Sequence, residues 1–241
     1  AIVSATARRK PPPTTDRILA LGDSITKGGL TGMTAADLLN RSYRDRLEHL
    51  FDENSCLVDF VGPFNGPVHA DVTWLDGDHA AISGERADEL LTRVQDHSWL
   101  TTADPNIVLI HTGTNDLLGT GLGGTPRTPA AAAADTKSVI QEIQSALPGV
   151  EIVLAQIFPS EPTGGDAGVA ATFVTYNSLL TTVATDTGAH LVDMHTDFDA
   201  RPDWMGGDTI EWIHPTWTAE DTMADRWWAN LNANDLLNGC A

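Results

Sequence analysis

Short apolar runs rich in β-branched residues recur at residues 18–21, 57–61, 107–111, 152–157 and 190–192, each bounded by polar residues, glycine or proline. Runs of this length and composition predict five strands, most of them covered on both faces. Between them the apolar period changes. Leu39, Tyr43, Leu47 and Leu50 fall near helical spacing, as do the stretches 87–94, 130–147 and 169–184, which predicts amphipathic helices. Thr34 followed by Asp37 resembles a capping box at the start of the first long helix, and Pro148-Gly149 stops the third. Strands alternating with helices imply an α/β sandwich on a parallel sheet. In a doubly wound sheet the βα loops converge at the carboxyl ends of the strands. Ser24, Gly84, Asn115 and His214, which follow the first, second, third and fifth predicted strands, are therefore expected to face one crevice.

Composition narrows this picture. At 241 residues and 41% hydrophobic content the chain can bury one sizeable core. No interior linker divides it, so residues 16–241 are expected to form a single domain. Residues 1–15, with Arg8-Arg9-Lys10 and Pro11-Pro12-Pro13, lack periodicity and read as a flexible arm. A net charge of −19 leaves no basic surface for phosphates, so neither nucleic acid nor an anionic membrane is an expected partner. No apolar stretch approaches the roughly 20 residues that cross a bilayer, and a soluble monomer is expected. Cys56 and Cys240 are either two buried thiols or a disulfide pinning the tail to the sheet edge. The bridge is expected; it would stabilise by about 5 kcal/mol at most and favours a secreted protein.

Candidate chemistry sits at the strand ends. Gly22-Asp23-Ser24-Ile25 follows the first strand directly, so a hydroxyl is presented at a glycine-flanked turn whose backbone N–H groups can face an acyl oxygen. Ordinary turn chemistry is the alternative. Gly113-Thr114-Asn115-Asp116 places a side-chain amide after the third strand, at the same end of the sheet. Gly84, in Ile82-Ser83-Gly84, permits close approach of its N–H to a ligand atom. In Glu211-Trp212-Ile213-His214-Pro215 a carboxylate precedes a histidine by three residues, and Pro215 favours an extended His214.

Together these blocks resemble the SGNH hydrolase superfamily, also called GDSL esterases, over most of the chain. Ser42-Tyr43-Arg44, residues 58–62 and Asp78-His79 further resemble the carbohydrate esterases of family three, which remove acetyl groups from xylan. The resemblance implies a flavodoxin-like three-layer sandwich on a doubly wound, parallel, five-stranded sheet. It implies Ser24 as nucleophile and His214 as general base, with an oxyanion hole from the Ser24 N–H, the Gly84 N–H and the Asn115 side chain. Glu211 stands where the family has aspartate and is expected to orient His214, with Asp208 or a backbone carbonyl as alternatives. The implied activity is hydrolysis of small acyl esters, with acetylated plant polysaccharide such as acetylxylan as first choice. The alternatives are a lipase or thioesterase of the same superfamily, or an inactive carbohydrate-binding protein.

Other signals count for less. Five of the seven tryptophans fall between residues 204 and 228. Trp227 and Trp228 read as core on a terminal helix, leaving Trp204 and Trp212, with Asp23, as candidate substrate-binding residues. His79 and His111 read as hydrogen-bonded structural residues. The G-x-G-x-x-G match at residues 119–124 does not join a strand to a helix, so no nucleotide is expected. No metal and no other cofactor is expected, since no cluster has the spacing of a zinc site.

Overall fold

The computed structural model describes residues 15–28, 42–66, 76–119, 124–158, 167–196, 209–210 and 213–240. In chain order the elements are β1 (Asp16–Gly22), α1 (Ser24–Lys27), α2 (Tyr43–Glu53), β2 (Val58–Phe60), β3 (Phe64–Asn65), β4 (Asp78–Ala81), α3 (Ala87–Val94), α4 (His97–Ala103), β5 (Ile107–His111), α5 (Thr114–Leu118), α6 (Pro129–Ala146), β6 (Glu151–Ala155), α7 (Ala167–Thr187), β7 (His190–Val192), β8 (Thr209–Ile210), β9 (His214–Pro215) and α8 (Trp217–Ala233).

The main sheet runs β3-β4-β1-β5-β6-β7, with β2 also on β1. All neighbours are parallel except the β3–β4 pair. Because side chains alternate along a strand, each central strand feeds two cores. Leu19, Leu21, Val108, Ile110, Ile152 and Leu154 pack with residues of α3, α4, α6 and α7. Ile18, Ala20, Ile107, Leu109, Val153 and Ala155 pack with α2 and α8, where Trp227 lies 5.7 Å from Tyr43 between ring centres. This is the expected α/β sandwich, with helices covering both faces of the sheet.

The sheet departs from the five expected strands in one region. β2 pairs with Asp16, Arg17 and Ile18, and β4 takes over the same edge of β1 at Leu21 and Gly22. Asp78-His79-Ala80-Ala81 has no β-branched residue, so its strand conformation comes from the ladder with β1 rather than from local propensity. The predicted cap at Thr34 lies outside the described residues. The described helix α2 is capped instead by Ser42, whose hydroxyl accepts from Arg44 N–H at 3.3 Å.

At the amino end of the sheet, Cys56 and Cys240 form a disulfide spanning 184 positions. Beside it the buried Asp16 carboxylate accepts from Asn238 N–H (2.7 Å), Gly239 N–H (2.8 Å) and the Asn106 amide (2.9 Å). Replacing both cysteines by serine is expected to cost about 2–5 kcal/mol. A thermal melt should show the midpoint falling by several degrees, with the native circular dichroism retained below it.

Candidate active site

The serine turn is built by its neighbours in the chain. Asp23 is extended (φ −106°, ψ −150°) and caps α1, its carboxylate accepting from Ile25 N–H at 3.0 Å. Ser24 is therefore the first residue of a single helical turn at the end of the central strand. The far end of that turn is gripped by the trio Ser42-Tyr43-Arg44. Ser42 Oγ donates to Thr26 O at 2.9 Å, and the fully buried Arg44 guanidinium donates to Thr26 O (3.0 Å), Lys27 O (3.0 Å), Gly66 O (2.8 Å) and Gly77 O (3.0 Å). Burial lowers Arg44 to about 10, which still leaves it charged at neutral pH. One cation thus ties α1 to the β3–β4 connection.

Asn115 arrives from the neighbouring strand. Gly113 caps α5 at φ +117°, and a Cβ there would lie 2.5 Å from the Tyr176 ring, so only glycine fits the turn. Tyr176 in turn donates to Thr112 O at 3.0 Å. The amide Nδ2 of Asn115 donates to Asp23 Oδ2 at 3.1 Å and reaches Glu85 O at 3.3 Å. Glu85 directly follows Gly84, which has φ +80° in the turn closed by Glu85 N–H to Ile82 O at 3.1 Å. Asp116 locks the same region: its carboxylate accepts from Ala87 N–H (2.9 Å) and from Arg127 (2.6 Å), and Arg127 also pairs with Asp135.

His214 comes from β9, paired antiparallel with β8. Its Nε2 lies 2.9 Å from Ser24 Oγ, across 190 positions of sequence. Burial lowers the imidazole to about 4, so it is neutral at neutral pH and able to accept a proton. Its buried Nδ1 has no hydrogen-bond partner among the described residues. Asp23 moves the other way, raised to about 7 by burial, opposed by the Ile25 N–H bond and reinforced by the nearby charges of Asp116 and Glu85. Glu85 is offset by Arg93, at 2.7 Å.

Ser24 and His214 thus meet directly, while Asn115 joins the serine turn through Asp23 and the Gly84 turn through Glu85 O. Asp23 does not suit the substrate-binding role given to it: it is fully buried, and its carboxylate is committed to Ile25 and Asn115. Glu211, Asp208, Trp204 and Trp212 lie outside the described residues. His79 Nδ1 accepts from Ala81 N–H at 3.0 Å. His111 departs from expectation, because its ring stacks on Phe158 and neither ring nitrogen has a partner among the described residues. Among the described residues no group of three or more His, Cys, Asp or Glu side chains could hold a metal ion, and no helix is long and apolar enough to cross a membrane. Sequence reasoning missed the grip of Arg44 on α1. An arginine that satisfies backbone carbonyls leaves no pattern in the chain beyond its own identity.

The sequence profile of the GDSL-like lipase/acylhydrolase family matches residues 20–220. No curated protein sequence matches the chain. Among solved structures, a family 3 carbohydrate esterase from Clostridium thermocellum is 22% identical, with a TM-score of 0.68, covering 92% of this chain and 97% of its own. A carbohydrate esterase family 3 protein from Talaromyces cellulolyticus is 20% identical, with a TM-score of 0.70 and coverages of 91% and 98%. The acetylxylan esterase Axe2 from Geobacillus stearothermophilus is 17% identical, with a TM-score of 0.64 and coverages of 92% and 96%. At such identities these likenesses speak for the shared fold. The profile match over most of the sequence goes further: the chain belongs to the GDSL-like lipase/acylhydrolase family and is a carboxylic ester hydrolase.

Proposed function

We propose that the protein is a secreted serine esterase that removes acetyl groups from acylated carbohydrate, with acetylxylan as the leading substrate. The observation that carries the chemistry is the 2.9 Å contact between Ser24 Oγ and His214 Nε2. The acetyl and carbohydrate parts draw on the solved structures of similar fold, whose names include acetylxylan esterase and family 3 carbohydrate esterase. The disulfide suits an extracellular setting.

In this reading His214 Nε2 takes the Ser24 hydroxyl proton as Oγ attacks the ester carbonyl carbon. Negative charge passes to the carbonyl oxygen, which the Ser24 N–H, the Gly84 N–H and the Asn115 amide receive. Collapse breaks the bond to the sugar oxygen, and the proton on Nε2 passes to the departing alcohol. Water, deprotonated by the same nitrogen, then attacks the acyl-serine and releases acetate. For Nε2 to accept, the resting proton must sit on Nδ1. We assign Glu211, three residues before His214, as its acceptor.

Acidification tests the base. A free imidazole would lose its basic form below about 6.5, whereas His214, held near 4 by burial, keeps it well below that. The loss of activity that belongs to His214 should therefore come as pH falls through about 4, measured as kcat/KM on a small acetyl ester over the range in which the fold persists. Substrate class is tested by comparing acetate release from acetylxylan with hydrolysis of long-chain acyl esters and acyl-CoA. Preference for acetyl groups on xylan supports the assignment. Preference for long chains replaces it with a lipase or thioesterase, and sugar binding without turnover replaces it with a binding protein.

A further inference from the structure

We propose that Asp23 is a positioning residue, whose carboxylate fixes which way round the Asn115 amide sits, so that Nδ2 rather than Oδ1 faces the oxyanion. The inference rests on the role given to Asn115 above and extends it to a buried group outside the proton-transfer path. The two ends of an amide are nearly the same size, so packing alone selects poorly between them. A carboxylate can only accept, and Asp23 Oδ2 at 3.1 Å therefore demands a hydrogen from Asn115 Nδ2. The second hydrogen of the same nitrogen points to Glu85 O at 3.3 Å, a contact long enough to give way to a charged oxygen. Asp23 itself cannot turn aside, because it is fully buried and its other oxygen is held by Ile25 N–H at 3.0 Å.

Loss of the negative charge reverses the selection. A protonated Asp23, or an asparagine in its place, donates toward Asn115 and invites Oδ1, which would set one acceptor against another at the oxyanion. Asparagine caps helices as well as aspartate, so Asp23→Asn keeps the bond to Ile25 while removing the charge. Asp23→Asn should lower kcat about 10²-fold, comparable to the loss of one oxyanion donor, with KM changed by less than about twofold. In an Asn115→Ala background the same substitution should change kcat by less than about twofold, because the partner through which it acts is gone.

The unmodified protein supplies an independent readout. The groups facing Asp23 are Asp116 on α5, Glu85 after β4, Tyr43 on α2 and Tyr176 on α7. Both tyrosines are pushed up by burial and stay neutral, and burial also raises Asp116 and Glu85, opposed by Arg127 and Arg93 respectively. Asp23, raised to about 7, changes charge in this range, and the Asp23→Asn variant separates its titration from that of the two neighbouring acids. The wild-type kcat should step down toward that of Asp23→Asn as pH falls through about 7, above the His214 limb, and this step should vanish in Asp23→Asn. A wild-type kcat with no such step between pH 8 and 5, a fully active Asp23→Asn, or an equal loss in the Asn115→Ala background would each overturn the proposal. If Asn115→Ala alone leaves kcat intact, the oxyanion reading fails and takes this inference with it. A large loss on Asn115→Ala with an additive Asp23→Asn removes only the role of Asp23.

Discussion

Ser24→Ala is expected to lower ester hydrolysis by about 10⁴-fold or more, and His214→Ala by a similar factor. Their Oγ and Nε2 are 2.9 Å apart, so each is useless to the attack without the other. The double variant should be scarcely slower than either single one, because groups that act as a unit do not contribute independently. Both variants are expected to keep the fold: among the described residues Ser24 Oγ bonds to His214 and takes no part in the cap of α1, and His214 sits on a two-residue strand beside α8. Unchanged thermal midpoints together with lost turnover on a small acetyl ester are the expected pair of results.

Arg44→Met should produce the largest loss of stability, about 3–5 kcal/mol. The guanidinium is fully buried and donates to the carbonyls of Thr26, Lys27, Gly66, Gly77 and Asp78. Methionine fills much of the volume but takes a donor away from each of those oxygens; Thr26 O keeps Ser42 Oγ and Gly77 O keeps Gly66 N–H, and a buried acceptor left unsatisfied is costly. Lysine offers three donors from one atom in place of a planar fork, so Arg44→Lys should recover only part of the loss. For a chain of this length the drop should move the thermal midpoint by roughly 10 °C. Two of the freed carbonyls end α1, so kcat should fall alongside stability even at temperatures where the variant is folded.

Much of this architecture can be read along the chain, for a physical reason. Residues 107–111 and 152–157 are short, β-branched and apolar on both faces, and a strand so composed has few alternatives to the centre of a parallel sheet. Ser24, Asn115 and His214 are likewise legible, because each stands beside turn residues that leave its side chain at a strand end. What escapes is set by partners distant in sequence. Asp78–Ala81 is a strand because β1 offers an edge at Leu21 and Gly22. Asp23 and Asn115 are 92 positions apart, and nothing local to either distinguishes a surface turn acid from a buried acceptor. The same holds for Asp116, whose bond to Ala87 N–H crosses 29 positions. Helix α5 is only five residues long, too short for periodicity to announce it, although it carries the amide on which the site depends.

His214 activates the Ser24 hydroxyl in the proposed reaction. The most direct test is mass spectrometry of the protein after treatment with a serine-directed organophosphate, which needs no knowledge of the natural substrate. A single adduct on Ser24 is expected in the wild type, with none in Ser24→Ala and a rate of formation lowered by orders of magnitude in His214→Ala. No adduct on the folded wild type, or an adduct on Ser24 that forms equally fast without His214, would contradict it.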